Sequence, residues 1–285
     1  MNNPPSQYLH LPTAPRPRVS GLPRLRAPAS PHSNSSWLDW VTGLGYLFLY
    51  TPILILIVFS FNNSRFNVVW KGFTLDWYIK LFEDTKILEA LKVSLIVALV
   101  STAISLVIGT LTAWAMYRYS FKGKRILEGV LYLPIIIPDI VMGISLTLFF
   151  VLIKFQLGMA SIIIAHVAFN ISFVMVVVRA RLQGLDRTLE EAAMDLGADE
   201  VTTFFKVTLP LLSPGLVAAA LLAFTLSFDD FVISFFTAGV GATPLPVQIY
   251  SMVKLGVSPV VNAISTLVLV ISFILVTLAE KLQRK

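Results

Sequence analysis

Residues 93–117 read VSLIVALVSTAISLVIGTLTAWAMY, with no charged side chain between Lys92 and Arg118. A helix needs ~20 mostly apolar residues to cross the hydrocarbon core of a bilayer, so this segment is long enough to span it. Outward from it, further uncharged runs lie between Asp39 and Arg65, Lys154 and Arg179, Lys206 and Asp229, and Lys254 and Glu280. Another, between Glu128 and Lys154, is interrupted only by Asp139. Six candidate spans result. The stretch 231–253 is also uncharged, but Gly239, Gly241, Pro244 and Pro246 crowd it. It reads as a loop dipping toward the membrane against protein, because lipid-exposed irregular backbone is not tolerated in hydrocarbon.

Composition agrees. Of 285 residues, 56% are apolar and only 13% charged, against about 25% charged in a soluble domain, and the mean hydropathy is +0.80. The absence of cysteine excludes disulfides, thiolate metal sites and cysteine nucleophiles. His10, His32 and His166 are scattered and show no metal-ligand spacing, so no metal site is expected. A formal charge of +6 suits basic cytoplasmic loops better than a nucleic-acid partner.

The positions of those charges orient the chain. The segment before the first span holds Arg16, Arg18, Arg24 and Arg26, and the loop after the second holds Arg118, Lys122, Lys124 and Arg125. Arg179, Arg181, Arg187 and Lys206 follow the fourth span, and Lys281, Arg284 and Lys285 end the chain. Arg65, Lys71, Lys80, Lys86, Lys92, Lys154 and Lys254 fall on the other side. The positive-inside rule therefore predicts both termini in the cytoplasm and an even number of spans. Residues 1–36 contain half of the 16 prolines and no acid, a composition that reads as a disordered cytoplasmic tail. Residues 37–285 form the transmembrane domain, with Trp37 and Trp40 placed as interfacial anchors. The aromatic segment from Asn62 to Glu89 reads as amphipathic and external.

The long cytoplasmic loop carries the most information. Residues 186–210 read DRTLEEAAMDLGADEVTTFFKVTLP. Thr188 and Glu191 have capping-box spacing, and Leu189, Ala192, Ala193 and Leu196 fall on one helical stripe. Glu190, Glu191 and Asp195 lie off that stripe. Gly197 is placed as a C-cap, a second short helix begins at about Asp199, and Pro210 suits the first turn of the fifth span. The spacing thus predicts, within a cytoplasmic segment at about 188–206, a short helix from Thr188 capped at Gly197 with small residues at its centre. From the residues alone, two readings stand level: the stripe packs on its own bundle, or it receives a partner, with the flanking acids setting charge register.

Glu191-Ala192-Ala193, Gly197, Val207, Leu209 and Pro210 resemble the EAA motif of ABC importer permeases. SFNNSRF at 60–66, WKGFTLDWY at 70–78, YRYSFKGK at 117–124, PDIVMGISL at 138–146, AFTLSFDD at 223–230 and IYSMVKLGVSP at 249–259 are similar to permeases of spermidine/putrescine importers. The likeness runs from about Trp37 to Leu282, and the proline-rich tail departs from it. The resemblance implies an all-α, type I importer (MetI-like) bundle in a bacterial cytoplasmic membrane. It implies a coupling helix, with Glu190, Glu191, Ala192, Ala193, Gly197, Leu209 and Pro210, that docks on an ABC ATPase dimer. It further implies a second, related, PotB-like permease and an extracytoplasmic polyamine-binding protein. No G-x-x-x-x-G-K-[ST] pattern occurs here, so ATP and Mg are expected on the partner, with no cofactor on this chain and no enzymatic activity of its own.

A polyamine loses hydration in a pore, and carboxylates along the route would offset part of that loss. Asp139, Asp229 and Asp230 are the acids that interrupt or border spans, and intramembrane acids usually face an interior or a pathway. Phe224, Phe228 and Phe231 lie near them for cation–π contact. The plainer alternatives are that Asp139, after Pro138, caps a broken helix and that Asp229 and Asp230 are solvated at a span end. His166 and Asn170, one turn apart, read as an interhelical hydrogen-bonding pair. The nearest alternative is an ABC permease for another small solute, because the coupling motif says nothing about the substrate, and two other classes compete. An ion-coupled secondary transporter predicts intramembrane ion pairs and an internal repeat, and a membrane enzyme predicts a catalytic constellation. The sequence shows neither.

Overall fold

A computed structural model describes residues 36–64, 69–254, 256 and 258–283. The arginine-rich tail thus lies outside the described residues, as do Arg65, Arg284 and Lys285 of the charge pattern. By its contacts the chain divides into a unit ending at Phe48 and a second beginning at Leu49; the packed helical bundle belongs to the second.

Twelve α-helices succeed one another among the described residues: α1 Ser36–Phe59, α2 Asp76–Glu83, α3 Thr85–Arg118, α4 Lys124–Ile136, α5 Asp139–Leu152, α6 Met159–Gln183, α7 Thr188–Asp195, α8 Glu200–Thr203, α9 Leu209–Phe228, α10 Val232–Thr237, α11 Leu245–Lys254 and α12 Pro259–Gln283. A π-turn, Phe204–Thr208, joins α8 to α9. Each uncharged run carries helix. Among the described residues, four segments are long and apolar enough on their own to cross a bilayer: Trp37–Phe59, Thr85–Arg118, Met159–Gln183 and Glu200–Phe228. Helix α12, 25 residues from Pro259 to Gln283, carries the last uncharged run.

The run from Glu128 to Lys154 is not one straight span. It is α4 and α5, bent by 112° at the break between them. Ile137 precedes Pro138 and is extended (φ −71, ψ 132), as the ring of a succeeding proline requires, and Pro138 has no N–H to continue the helix. At ~1.5 Å per residue, neither piece alone reaches across a ~30 Å core.

Helices α3, α6 and α9 form the centre. Ala113, Val174, Met175, Val178, Leu182, Leu212, Ala219 and Ala223 are fully buried between them. Small residues permit the close approach: a Cβ on Gly109 would lie 2.7 Å from Val174 Cγ1, and one on Gly215 2.8 Å from Arg181 Cγ. An ion pair from Arg179 to Glu128 ties α4 to α6.

The aromatic segment before α3 is compact. Asn62 pairs with Phe73 in an isolated antiparallel bridge, its Nδ2 donates to Val69 O at 2.9 Å, and Trp77 Nε1 donates to Asn62 O at 2.8 Å. Helix α3 starts earlier than the charge pattern suggested, because Asp84 accepts from the backbone N–H groups of Lys86 and Ile87 and caps it there. The expected loop at 231–253 instead contains α10 and α11. Ile233, Ser234, Thr237, Ala242 and Leu245 are buried, so this segment does lie against protein.

Candidate functional site

Helix α7 forms where the spacing predicted a helix and ends at Gly197 as expected, but its N-terminal cap differs. No Thr188–Glu191 box is made. Instead Asp186 accepts from Thr188 N at 3.0 Å, a turn in which the carboxylate takes up a free helix-start donor. At the other end Gly197 N donates to Met194 O at 2.9 Å and Ala198 N to Ala193 O at 3.1 Å, the paired bonds of a Schellman motif. Gly197 has φ +92, a conformation that costs other residues ~1–2 kcal/mol. Asp199 starts α8 by accepting from Thr202 N at 2.9 Å.

Hydrogen bonds from Thr188 hold the Asp186 carboxyl below the usual carboxylate range, and those from Thr202 do the same for Asp199. What these caps add to stability is therefore full above the ordinary carboxylate pKa of ~4 and is lost as pH falls through the lowered folded values.

The two level readings of the stripe now separate. Leu189, Ala192 and Leu196 are exposed, Leu196 at 90%, and only Ala193 is partly covered. The stripe does not pack on its own bundle. Glu191 and Asp195 are exposed beside it. Glu190, expected among the acids facing a partner, turns inward with 8% exposure. Its Oε1 accepts from Thr208 Oγ1 at 2.6 Å, and its Oε2 lies 3.6 Å from Arg118 Nη1. Leu209 and Pro210 open α9, Pro210 within the first two positions, where a missing N–H costs nothing. Tyr119 donates to Glu200 Oε2 at 2.7 Å, and that bond pushes its phenol above the ordinary tyrosine range.

At the opposite end of α6 and α9 lies a buried polar chain that sequence reasoning missed. His166, fully buried, has Nδ1 2.6 Å from Ser227 Oγ. Its Nε2 is 3.1 Å from Ser234 Oγ and 3.2 Å from Asp230 Oδ2. Ser227 continues to Ser101 Oγ at 3.0 Å, linking α3, α6, α9 and α10. Asp230 also accepts from Ser234 N at 2.7 Å and Ile233 N at 3.3 Å, capping α10. His166 is thus an interhelical bonding group, but not with Asn170, whose amide atoms are buried without a hydrogen-bond partner. A lone His in an apolar run carries no sign of which distant serines it will meet.

The pathway candidates divide accordingly. Asp229 is exposed at the end of α9, whereas Asp230 is engaged by His166 and α10. Asp139 is exposed in the first turn of α5, just after the break. Phe228 is 5% exposed, in a core with Leu81, Ile87, Ala90, Ala98, Leu245, Ala263 and Ile264. Its ring stacks on Phe224 at 5.7 Å. Asp230→Ala is expected to lower stability in detergent by about 2–4 kcal/mol, since it strands buried partners of a charged group. Asp229→Ala should stay within about 0.5 kcal/mol. Thermal unfolding of the two purified variants checks the contrast, and equal losses would contradict it.

A family model described as binding-protein-dependent transport system inner membrane component matches residues 105–285. The chain is 47% identical over 239 residues to the spermidine/putrescine transport system permease protein PotC of Escherichia coli strain K12, covering 84% of this chain and 90% of that one. It is 39% identical over 258 residues to the putrescine transport system permease protein PotI of the same strain, covering 88% and 89%. Its fold is similar to a chain in the crystal structure of a bacterial ABC transporter involved in the import of the acidic polysaccharide alginate. That match has a TM-score of 0.70 at 17% identity, over 87% of this chain and 96% of the other.

Proposed function

The chain belongs to the family of binding-protein-dependent transport system inner membrane components, and from that premise we propose that it is the polyamine-translocating permease of an ATP-driven importer. The cargo is spermidine or putrescine, as the names of the relatives suggest. Both termini and α7 lie on the cytoplasmic side, in keeping with the distribution of Lys and Arg. An ABC ATPase dimer docks on α7 and supplies ATP and Mg, so this chain performs no catalysis. A second, PotB-like permease completes the pore, and an extracytoplasmic polyamine-binding protein delivers the cargo.

The observation that carries the reading is the outward face of α7. Leu189, Ala192 and Leu196 are left uncovered, on a helix whose ends are fixed by Asp186 and Gly197. An exposed apolar row on a rigid helix fits the groove mode of helix recognition. Asp229, exposed where α9 ends, supplies a carboxylate at the outer mouth of the route.

The test is uptake of radiolabelled spermidine and putrescine by cells lacking their own polyamine importers. The chain is expressed there with the ATPase, second permease and binding protein. ATP-dependent uptake, competed by unlabelled polyamine and unchanged when the proton gradient is collapsed at constant ATP, is the expected result. Uptake of another solute alone would change the cargo and leave the importer. Uptake that tracks the proton gradient would overturn the ATP-driven reading.

A further inference from the structure

Arg118, the last residue of α3, touches three parts of the motif segment at once. Its Nη1 lies 3.6 Å from Glu190 Oε2 on α7. Its Nη2 lies 3.7 Å from Glu200 Oε1 on α8 and 3.6 Å from Met194 Sδ. Thr208, in the π-turn, closes the group by donating to Glu190. Alongside, Trp114 packs on Phe204 with ring centroids 4.7 Å apart, and Tyr119 binds the second oxygen of Glu200. Glu190 stands immediately before the Glu-Ala-Ala triplet and points away from the exposed stripe.

The arrangement is mechanically specific. Helix α8 runs through the π-turn into α9 as one continuous segment, Glu200–Phe228, whereas α7 meets α3 here through the side chains of Glu190 and Met194; α3 in turn is the helix packed most extensively on α6. A guanidinium presents a rigid planar fork that engages two carboxylates in fixed directions, which a lysine ammonium does not. A carboxylate as covered as Glu190 is costly to leave uncompensated, so the junction resists being pulled apart.

We propose that Arg118, through Glu190 and Glu200, is a positioning residue that ties α7 to α3 and to the continuous α8–α9 segment, so that displacement of α7 by the ATPase is delivered to the transmembrane helices. This coupling rests on the docking reading of α7.

The experiment uses the full complex with its ATPase and binding protein. It measures co-purification, thermal stability, and cargo transported per ATP hydrolysed. Arg118→Met is expected to keep the ATPase bound while transport per ATP falls more than tenfold and stability drops. Adding Glu190→Gln removes the stranded charge, so stability should recover while transport per ATP stays as low as in Arg118→Met alone. A merely structural role predicts the reverse, with both quantities recovering together, and that result overturns the proposal. Should Arg118→Met fail to accumulate, Arg118→Lys is read instead. It keeps the charge, loses the fork and is expected to lower transport per ATP at least threefold; a wild-type ratio overturns the proposal. Failure of docking itself looks different, because the ATPase would then be missing from the unsubstituted complex.

Discussion

Ala192→Glu is expected to strip the ATPase from the purified complex and to lower polyamine uptake by about a hundredfold, with the chain still inserted in the membrane. Ala192 sits at the middle of the exposed stripe on α7, where a docked surface approaches the backbone most closely. A glutamate there must be desolvated without a partner, which costs several kcal/mol, and every ~1.4 kcal/mol is tenfold in affinity. Glu191 and Asp195 flank the site with the same sign, so a third acid gains nothing locally. Pull-down with a tagged permease and transport of labelled polyamine check the two halves. Normal co-purification together with normal uptake would remove α7 as the docking helix. Gly197→Val is a milder perturbation. A Cβ there meets nothing within 4 Å, so its effect comes from the backbone at φ +92 alone.

The second large effect is expected at Gly239. A Cβ on this residue would lie 1.9 Å from Leu157 O, 2.2 Å from Leu157 C and 2.7 Å from Gly158 N. All three are backbone atoms of the α5–α6 connection, so no side chain can swing aside. The turn is held to the start of α6 by Ser161 Oγ, which lies 2.8 Å from Thr237 O and 2.8 Å from Gly158 N. Gly239→Ala must therefore separate the turn from α6, and a loss of about 4 kcal/mol or more is expected, at the extreme of single substitutions. Gly241→Ala is the control. Its φ is +82 but nothing lies within 4 Å, so only the ~1–2 kcal/mol of left-handed backbone applies. Accumulation and thermal unfolding of the two variants should differ accordingly, and equal behaviour would show that the turn adapts.

Long uncharged runs and helix-cap chemistry were the legible parts of this sequence. A run such as 93–117 leaves little alternative to helix in lipid, and Gly197 at the end of a periodic stretch forecasts a left-handed cap, which is present. Hydropathy, however, averages over a window, so the run 128–154 passes for one span, and although Pro138 allows a broken helix there, nothing local gives the 112° bend. Asp186 and Glu191 competed to cap the same helix start; which oxygen wins depends on backbone approach that spacing does not encode. The inward turn of Glu190 was equally hidden, because an isolated helix has a polar face on both sides of its stripe and Arg118 and Thr208, from other elements, select one. The same holds for His166, whose partners come from other elements of the chain. Long-range polar pairing is the part of a membrane fold that local sequence leaves open.

The π-turn at Phe204–Thr208 bears on how this family can change in length. Such a turn accommodates an inserted residue within an otherwise continuous helix, and each residue in a helix rotates the downstream chain by ~100°. A one-residue deletion between Phe204 and Thr208 would restore uniform winding but swing Thr208 off Glu190, or else rotate all of α9 within its neighbours. Insertions and deletions at this joint are thus changes of phase, and descendants of this chain should conserve its residue count even where side chains drift.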